Sequence, residues 1–396
     1  MRIAFITNSY PTPAVPQSGA FVQQLAWALA RRGHTVEVLH PVNRLKGLRG
    51  PRSPRLVEED TGGGRVTVRH LPYLSLPSRR LGPLHTGRWT YGLFRRRVRR
   101  AVDALRGRPD LVYGHFLYPA GYAAVREGIR LGVPSVVAVG EDHFWSVAPV
   151  GMERAATDYR SATGLVAVSS LNRDRLIRDL GIPPEKILLS PNSVDLERFR
   201  PLPREEMARR HGIPLGKFTV AFVGAHEARK GPLRVLEAVA GLPDAQCLLI
   251  GQGLDRIAHP RVVFKGPVPQ DAVPELLACA DLFVLPTTSE GSCNAVIEAM
   301  ACGLPIVTAV GPHMDDIVDG GVALRVDPLS VEALREAVRT LMNDPSRLTA
   351  MRRACLARAR DFDITRRAER LSAWFGSLIA AHHRAASAPP DAVANL

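Results

Sequence analysis

Positions 3–6 form a short apolar run between Arg2 and Thr7, and the pattern that follows has a different period. Over 21–32 the apolar positions include 21, 22, 25, 26 and 29, one stripe of an α-helix. Gly33 stands where a helix end calls for positive φ, and Thr35-Val-Glu-Val-Leu39 alternates as a second strand. Strand, Pro-rich loop (10–19), helix and strand make the βαβ unit of a parallel sheet. The region 42–87 is rich in Pro, Gly and Arg with little periodicity, and predicts one short strand at 65–69 among long surface loops. Order returns with a helix over 90–106, a strand at 111–113 and a helix after Pro119. Strands at 135–139, 165–168 and 186–189 complete the first series.

The stretch 191–203 holds three prolines and a charged run, and reads as an interdomain linker. A second alternation then begins: strand 218–223, a helix after Pro232, strands 246–250 and 261–264, and a helix over 271–279. Strand 282–285, helix 294–302 and strand 305–308 follow, then a helical tail from 331 to about 381 that ends in Ala, Ser and Pro. The expected fold class is α/β, with two Rossmann-like domains and ligands at the carboxyl ends of the strands. The expected division is an N-terminal domain over 1–195, a linker over 196–204 and a C-terminal domain over 205–370. Residues 371–396 are expected to be a C-terminal helix and a disordered tail.

Length agrees: 396 residues suit two domains. With 46% hydrophobic and 23% charged residues, the composition excludes a fibrous or disordered chain. No apolar run approaches the roughly 18 residues of a membrane span, and the first apolar run meets Asn8 too early for a signal peptide. A cytoplasmic location is expected. Five cysteines (247, 279, 293, 302, 355) form no CxxC pair and no Cys/His metal spacing, which suits reduced core thiols. Charge changes the picture: a net +14, carried almost wholly by arginine with only five lysines, attracts anions. Nucleic acid, an anionic membrane surface and phosphorylated small molecules all qualify.

Three strand-to-helix loops carry candidate chemistry. In the first, Ser18-Gly19-Ala20 opens a helix, where glycine lets an anion approach free backbone N–H groups; a simple turn explains the glycine equally. In the second, Arg229 and Lys230 precede a helix marked by Gly231-Pro232, and paired cations there can hold a diphosphate. Two solvated loop charges are the plainer explanation. The third loop, Glu290-Gly291-Ser292-Cys293-Asn294, leads into a helix carrying Glu298. Helical side chains lean toward the N-terminus, so both carboxylates can face one pocket mouth and grip the vicinal hydroxyls of sugars. A capping Glu290 and a surface Glu298 would be the alternative, but the apolar neighbours of Glu298 weigh against it.

Glu290-x7-Glu298 followed by Ala-Met-Ala-Cys-Gly-Leu-Pro305 closely resembles the signature of retaining glycosyltransferase family 4. Other landmarks of that family follow in order across nearly the whole chain: the Gly19 loop, Arg32-Gly33-His34, Pro191-Asn192-Ser-Val-Asp195, Gly224 to Gly231, Ile250-Gly-Gln-Gly253 and Asp281 to Pro286. The variant Gly19-Ala-Phe-Val22 resembles members that build bacterial cell-surface polysaccharides. The resemblance implies the GT-B fold, two Rossmann-like domains facing each other across a cleft, and a nucleotide-diphosphate sugar, UDP- or GDP-linked, as donor. It implies Lys230 and Arg229 on the diphosphate and Glu298 on the ribose. Glu290, with the backbone of Gly291, Ser292 and Cys293, would hold the transferred sugar, Gly266 and Val268 would face the base, and Gly19 would approach the phosphates. Glu290, Lys230 and Asp142 are the implied catalytic residues. No metal and no cofactor are expected beyond the donor. Three departures stand out: Ala225 where the family often has Arg, Gly140 without a preceding histidine, and Ser193 for the usual glycine. Arg229 is then the expected second cation, Glu141 or His143 are candidates for the missing histidine's contact, and a metal trio at 141–143 is a further option.

The implied reaction transfers a hexosyl group to a sugar or lipid-linked acceptor with retention, in polysaccharide or glycolipid biosynthesis. A basic helix adds a further partner. Phe94, Val98, Ala101, Val102 and Leu105 form one stripe, and Arg95, Arg96, Arg97, Arg99 and Arg100 fill the rest. It reads either as an ordinary amphipathic helix or as a dock for anionic lipid headgroups on the inner face of the cell membrane. The competing functions are another GT-B nucleotide-sugar enzyme, such as an epimerase or a trehalose-type synthase, and a non-catalytic basic anion- or nucleic-acid-binding protein. No nucleic-acid module is recognisable, so nucleic acid is not an expected partner.

Overall fold

A computed structural model describes residues 1–43, 53–81, 84–253 and 258–387. Contacts divide the chain into two compact units, Met1–Ser190 with the segment from Thr365 onward, and Pro191–Ile364.

The first unit is built on an eight-stranded sheet. In chain order its elements are β1 (Arg2–Thr7), α1 (Ala20–Arg31), β2 (Thr35–Asn43), β3 (Leu56–Asp60), β4 (Arg65–Tyr73), a small ribbon of β5 (Arg80–Leu81) and β6 (Leu84–His85), and α2 (Thr86–Asp103). Then come β7 (Leu111–His115), α3 (Tyr122–Leu131), β8 (Ser135–Val139), α4 (Met152–Arg160), β9 (Gly164–Ala167), α5 (Ser170–Leu180) and β10 (Ile187–Leu189). The strand order is β10-β9-β8-β7-β1-β2-β4-β3, parallel throughout except the β3–β4 pair. β1 and β7 are buried along nearly their whole length, as the apolar runs predict for a sheet covered on both faces. Phe94, Val98, Ala101 and Val102 bury the predicted stripe of α2.

The region 42–87 is more ordered than its sequence suggests. Residues 44–52 and 82–83 lie outside the described residues, but β3 and a nine-residue β4 join the sheet here. β3 is an antiparallel edge strand whose residues alternate only between exposed and half-buried, so its sequence shows no apolar face.

The second unit holds α6 (Arg204–His211), β11 (Phe218–Val223), α7 (Pro232–Ala240), β12 (Ala245–Ile250), β13 (Val262–Gly266), α8 (Ala272–Ala278), β14 (Leu282–Leu285) and α9 (Asn294–Ala301). β15 (Ile306–Ala309), β16 (Ala323–Val326), α10 (Val331–Met342) and α11 (Pro345–Ala359) complete it. Its sheet is wholly parallel in the order β13-β12-β11-β14-β15-β16. The chain winds outward in both directions from β11 and β14, so the loops after these two strands lie side by side at the switch point where α/β sheets bind ligands.

The domain limits differ from those expected. The stretch 191–203 is not a free linker: Val194 and Phe199 are buried in the second unit's core, and Val194 pairs with Asp363. The helical tail is three helices, and the last, α12 (Ile364–Ser387), returns from Thr365 onward to the first unit. Leu371 and Phe375 are buried there, with Phe375 5.9 Å from Tyr113, and Arg367 donates to Ser190. Residues 371–387 are thus helix, packed through Leu371 and Phe375 and exposed over 383–387; the tail beyond, at 388–396, lies outside the described residues.

Candidate functional site

The loop after β11 runs 224–231 and the loop after β14 runs 286–293. Their strands are neighbours, with Val220 opposite Leu282. Thr288 N–H donates to the Arg229 carbonyl at 3.1 Å, and Arg234 spans both loops, donating to the Ala228 carbonyl at 2.8 Å and the Pro286 carbonyl at 2.9 Å. Gly224 adopts φ 156°, and a Cβ there would lie 3.0 Å from Lys230 Cδ. Glycine is what lets the lysine stem fold back across the loop.

Glu290 is the hub. Its Oε1 lies 3.0 Å from Lys230 Nζ and 3.3 Å from Arg229 Nη1, and accepts from the Thr287 hydroxyl at 3.1 Å. Arg229 also donates to the Ser289 carbonyl and faces Glu227 at 3.8 Å. Burial pulls the Lys230 ammonium down, but the Glu290 charge outweighs it and holds the lysine above its ordinary value. Lys230 is therefore a firmly charged cation in a largely enclosed place.

Glu298 stands on α9. Burial pushes its carboxyl up to about 7, against Arg198, a hydrogen bond from Gln270 and Lys230. Arg198 in turn contacts Asp271 at 2.5 Å, and its Nε is buried with no hydrogen-bond partner among the described residues. Ser292 Oγ accepts from Asn192 N–H at 3.3 Å. Gly291 and Cys293 are buried, and burial pushes the Cys293 thiol up to about 12, away from any nucleophilic role. Gly266 ends β13, where its carbonyl accepts from Gly251 N–H at 2.9 Å, and Val268 follows half-buried against the core. The structure thus gathers Lys230, Arg229, Glu290, Gly291, Ser292, Cys293 and Glu298 around two adjacent loops, with Gly266 and Val268 at the end of β13.

The sequence reading gave several residues here no role. Asn192 Oδ1, Ser193 Oγ, His226 Nε2 and Asn294 Oδ1 are buried with no hydrogen-bond partner among the described residues. Such atoms are rare in folded proteins and are available to a ligand. Burial, with help from Lys265, holds His226 below its ordinary value, so it is neutral near pH 7. Their only sequence signal was position in the 191–195 and 224–231 loops and at the start of the helix after residue 293; nothing local marked Arg198.

Gly19 and Asp142 belong to the first unit. Gly19 sits at φ 69° before α1, and a Cβ there would lie 2.4 Å from the Ser9 carbonyl oxygen, so the close approach it serves is to its own chain. Asp142 is half-buried after β8; its side chain accepts from His143 N–H at 2.9 Å and its carbonyl from Arg175. Glu141 does not take up a free contact. Its two oxygens accept from Leu117 N–H at 2.7 Å and Gly140 N–H at 3.2 Å, tying the β8 loop to the β7 loop. Among the described residues no cluster of His, Cys, Asp or Glu is placed to hold a metal, so the trio at 141–143 does not form.

Burial pushes the Glu141 carboxyl up from 4.5 to about 7. The folded protein keeps this proton where the unfolded chain releases it, so the stabilisation is present below about 4.5 and is lost as pH rises through about 7. At about 1.4 kcal/mol per pKa unit, the loss is on the order of 3 kcal/mol. Glu141→Gln should flatten this fall, measured as urea-unfolding free energy at pH 5 and pH 8; equal slopes for both proteins would refute the assignment.

Two families match this chain: Glycosyltransferase Family 4 over residues 18–198 and Glycosyl transferases group 1 over residues 203–361. A GDP-mannose-dependent alpha-mannosyltransferase of Mycolicibacterium smegmatis is 31% identical, across 90% of this chain and 93% of its own. D-inositol 3-phosphate glycosyltransferase 1 of Catenulispora acidiphila is 27% identical over 95% of each. Among solved structures, HepE of Anabaena in complex with UDP-glucose superposes with a TM-score of 0.73 at 18% identity, covering 95% of this chain and all of that one.

Proposed function

The chain belongs to glycosyltransferase family 4, with the two-domain GT-B fold, and on that premise we propose that it moves a hexosyl group from a UDP- or GDP-linked sugar to an acceptor hydroxyl with retention of configuration. The observation that carries this reading is the convergence of Lys230 and Arg229 on Glu290 at the sheet's switch point, with Glu298 on the adjoining helix. A diphosphate arriving there competes with Glu290 for Lys230 and frees the carboxylate to accept from sugar hydroxyls. Glu298 holds the ribose, and Gly266 and Val268 border the base.

The enzyme's task is to stabilise a departing diphosphate and an oxocarbenium-like sugar. Lys230 and Arg229 serve the first and Glu290 the second. A phosphate oxygen of the leaving group takes the acceptor proton on the same face, so no protein nucleophile is needed and no metal enters the proposal. The GDP-mannose named for one relative and the UDP-glucose bound by one structural neighbour favour a nucleotide donor without choosing the base.

The test is nucleotide release and sugar transfer with a panel of UDP- and GDP-sugars. Release from at least one donor is expected, together with weaker nucleotide binding by Glu298→Ala, about 10-fold or more for a lost charged hydrogen bond. Failure of every donor would overturn the reading, and unchanged calorimetric affinity in Glu298→Ala would remove the ribose role. An epimerase would instead return the donor's sugar altered and still linked to its nucleotide.

The acceptor class includes lipid-linked sugars because α2 also carries a membrane-type face. At about 100° per residue, Trp89, Leu93, Arg97 and Arg100 share one side of the helix, and Trp89 and Leu93 are 54% and 40% exposed. No described helix is long and apolar enough to cross a membrane, so the association would be peripheral, each cation contributing around 1 kcal/mol at an anionic surface. Trp89→Ala with Arg97→Gln and Arg100→Gln should abolish sedimentation with phosphatidylglycerol vesicles at low salt. A wild-type protein that ignores such vesicles would refute this face.

A further inference from the structure

The opposite flank of α2 borders a cavity of about 640 Å³ lying wholly within the first unit. Arg88, Gly92, Arg95 and Arg99 fall on this flank, three to four residues apart, and Arg154 of α4 faces them. The floor is aromatic: Tyr91 and Tyr118 stack at 5.2 Å and 16°, and Tyr118 and Tyr122 at 5.5 Å and 27°.

The charges of this cavity are unbalanced. Its one lining carboxylate, Asp158, is already engaged, accepting from the Tyr118 hydroxyl at 2.8 Å and pairing with Arg154 at 3.2 Å. Arg88 is spent on the Pro149 and Val150 carbonyls. Among the described residues Arg95 and Arg99 have no ion pair, and Arg95 Nε is buried with no hydrogen-bond partner. They sit four residues apart on one helix, the spacing at which like charges repel. Two arginines kept together without a counterion, beside stacked rings, favour an anion from outside. Gly92 adds room: a Cβ there would meet nothing within 4 Å, so this stretch of the helix wall is open.

We propose that this cavity binds a phosphorylated sugar, its phosphate held by Arg95 and Arg99 and its ring laid against Tyr91 and Tyr122. Arginine forks match phosphate oxygens in pairs, and the half-buried tyrosine faces offer the flat apolar surface that a pyranose ring covers. The volume lies within the range of small-molecule sites. The proposal concerns binding within the first unit alone and stands whether or not the donor assignment holds.

Calorimetry with glucose 6-phosphate, and with glucose as control, tests it on the full chain. Glucose 6-phosphate should bind at least tenfold more tightly than glucose. Arg95→Gln with Arg99→Gln should cost at least tenfold, and so should Gly92→Leu, which keeps both cations, favours the helix and fills the opening. Lys230→Ala should leave glucose 6-phosphate binding as it is, because Lys230 does not line this cavity. Equal binding by the double arginine variant, or no binding of glucose 6-phosphate by the wild type, overturns the proposal. Binding confined to phosphatidylglycerol vesicles and lost with Arg95 and Arg99 overturns it in favour of a lipid headgroup.

Discussion

Replacing Glu290 by alanine is expected to cut turnover by about ten- to a hundredfold and to destabilise the second unit. The first figure follows from losing charged hydrogen bonds worth about 1.5–3 kcal/mol in the transition state. The second follows from the pair it leaves behind. Lys230 and Glu290 side chains are only 17% and 12% exposed, and removing one partner of an enclosed pair costs about 3 kcal/mol because the other charge is stranded. Glu290→Gln keeps the shape and the Thr287 contact while deleting the charge. Steady-state kinetics on the donor found in the panel, with thermal unfolding of both variants, separates the effects. Full turnover in Glu290→Gln would show that the carboxylate only props the loop.

Lys230→Ala should raise the dissociation constant of a nucleoside diphosphate by about ten- to a hundredfold, again the worth of a charged hydrogen bond. A nucleoside without phosphates should bind as before. Arg229→Ala should act in the same direction with a smaller effect, because its side chain is 36% exposed and solvent screens it. Calorimetry with the nucleoside and its diphosphate reads both. Equal losses for the two ligands would mean that the loop's shape, not its charge, had been damaged, and Arg229 would then not replace the arginine absent at Ala225.

That Lys230, Arg229 and Glu290 lie on neighbouring loops was legible because each lies at a fixed offset from a strand end that the apolar pattern located. β11 and β14 announce themselves as short apolar runs, and the parallel α/β order makes the loops after them neighbours. The sharing of one carboxylate oxygen by both cations was not legible, since it depends on Gly224 letting the lysine stem fold back. Nor was Arg198, which meets Asp271 from across 73 residues of sequence and flanks Glu298.

The sequence by itself determined the α/β class, the two successive units, the parallel strand order's ingredients and the family, because these rest on local periodicity and on motifs with fixed spacing. The tertiary structure alone decided what depends on partners far along the chain. It made 56–60 an edge strand whose own residues show no apolar face. It moved 191–203 into the second unit by burying Val194 and Phe199. It returned α12 to the first unit through Phe375 and Arg367, and it spent Glu141 on backbone N–H groups instead of a ligand. In each case the energy comes from burial against, or hydrogen bonding to, groups that no local window contains.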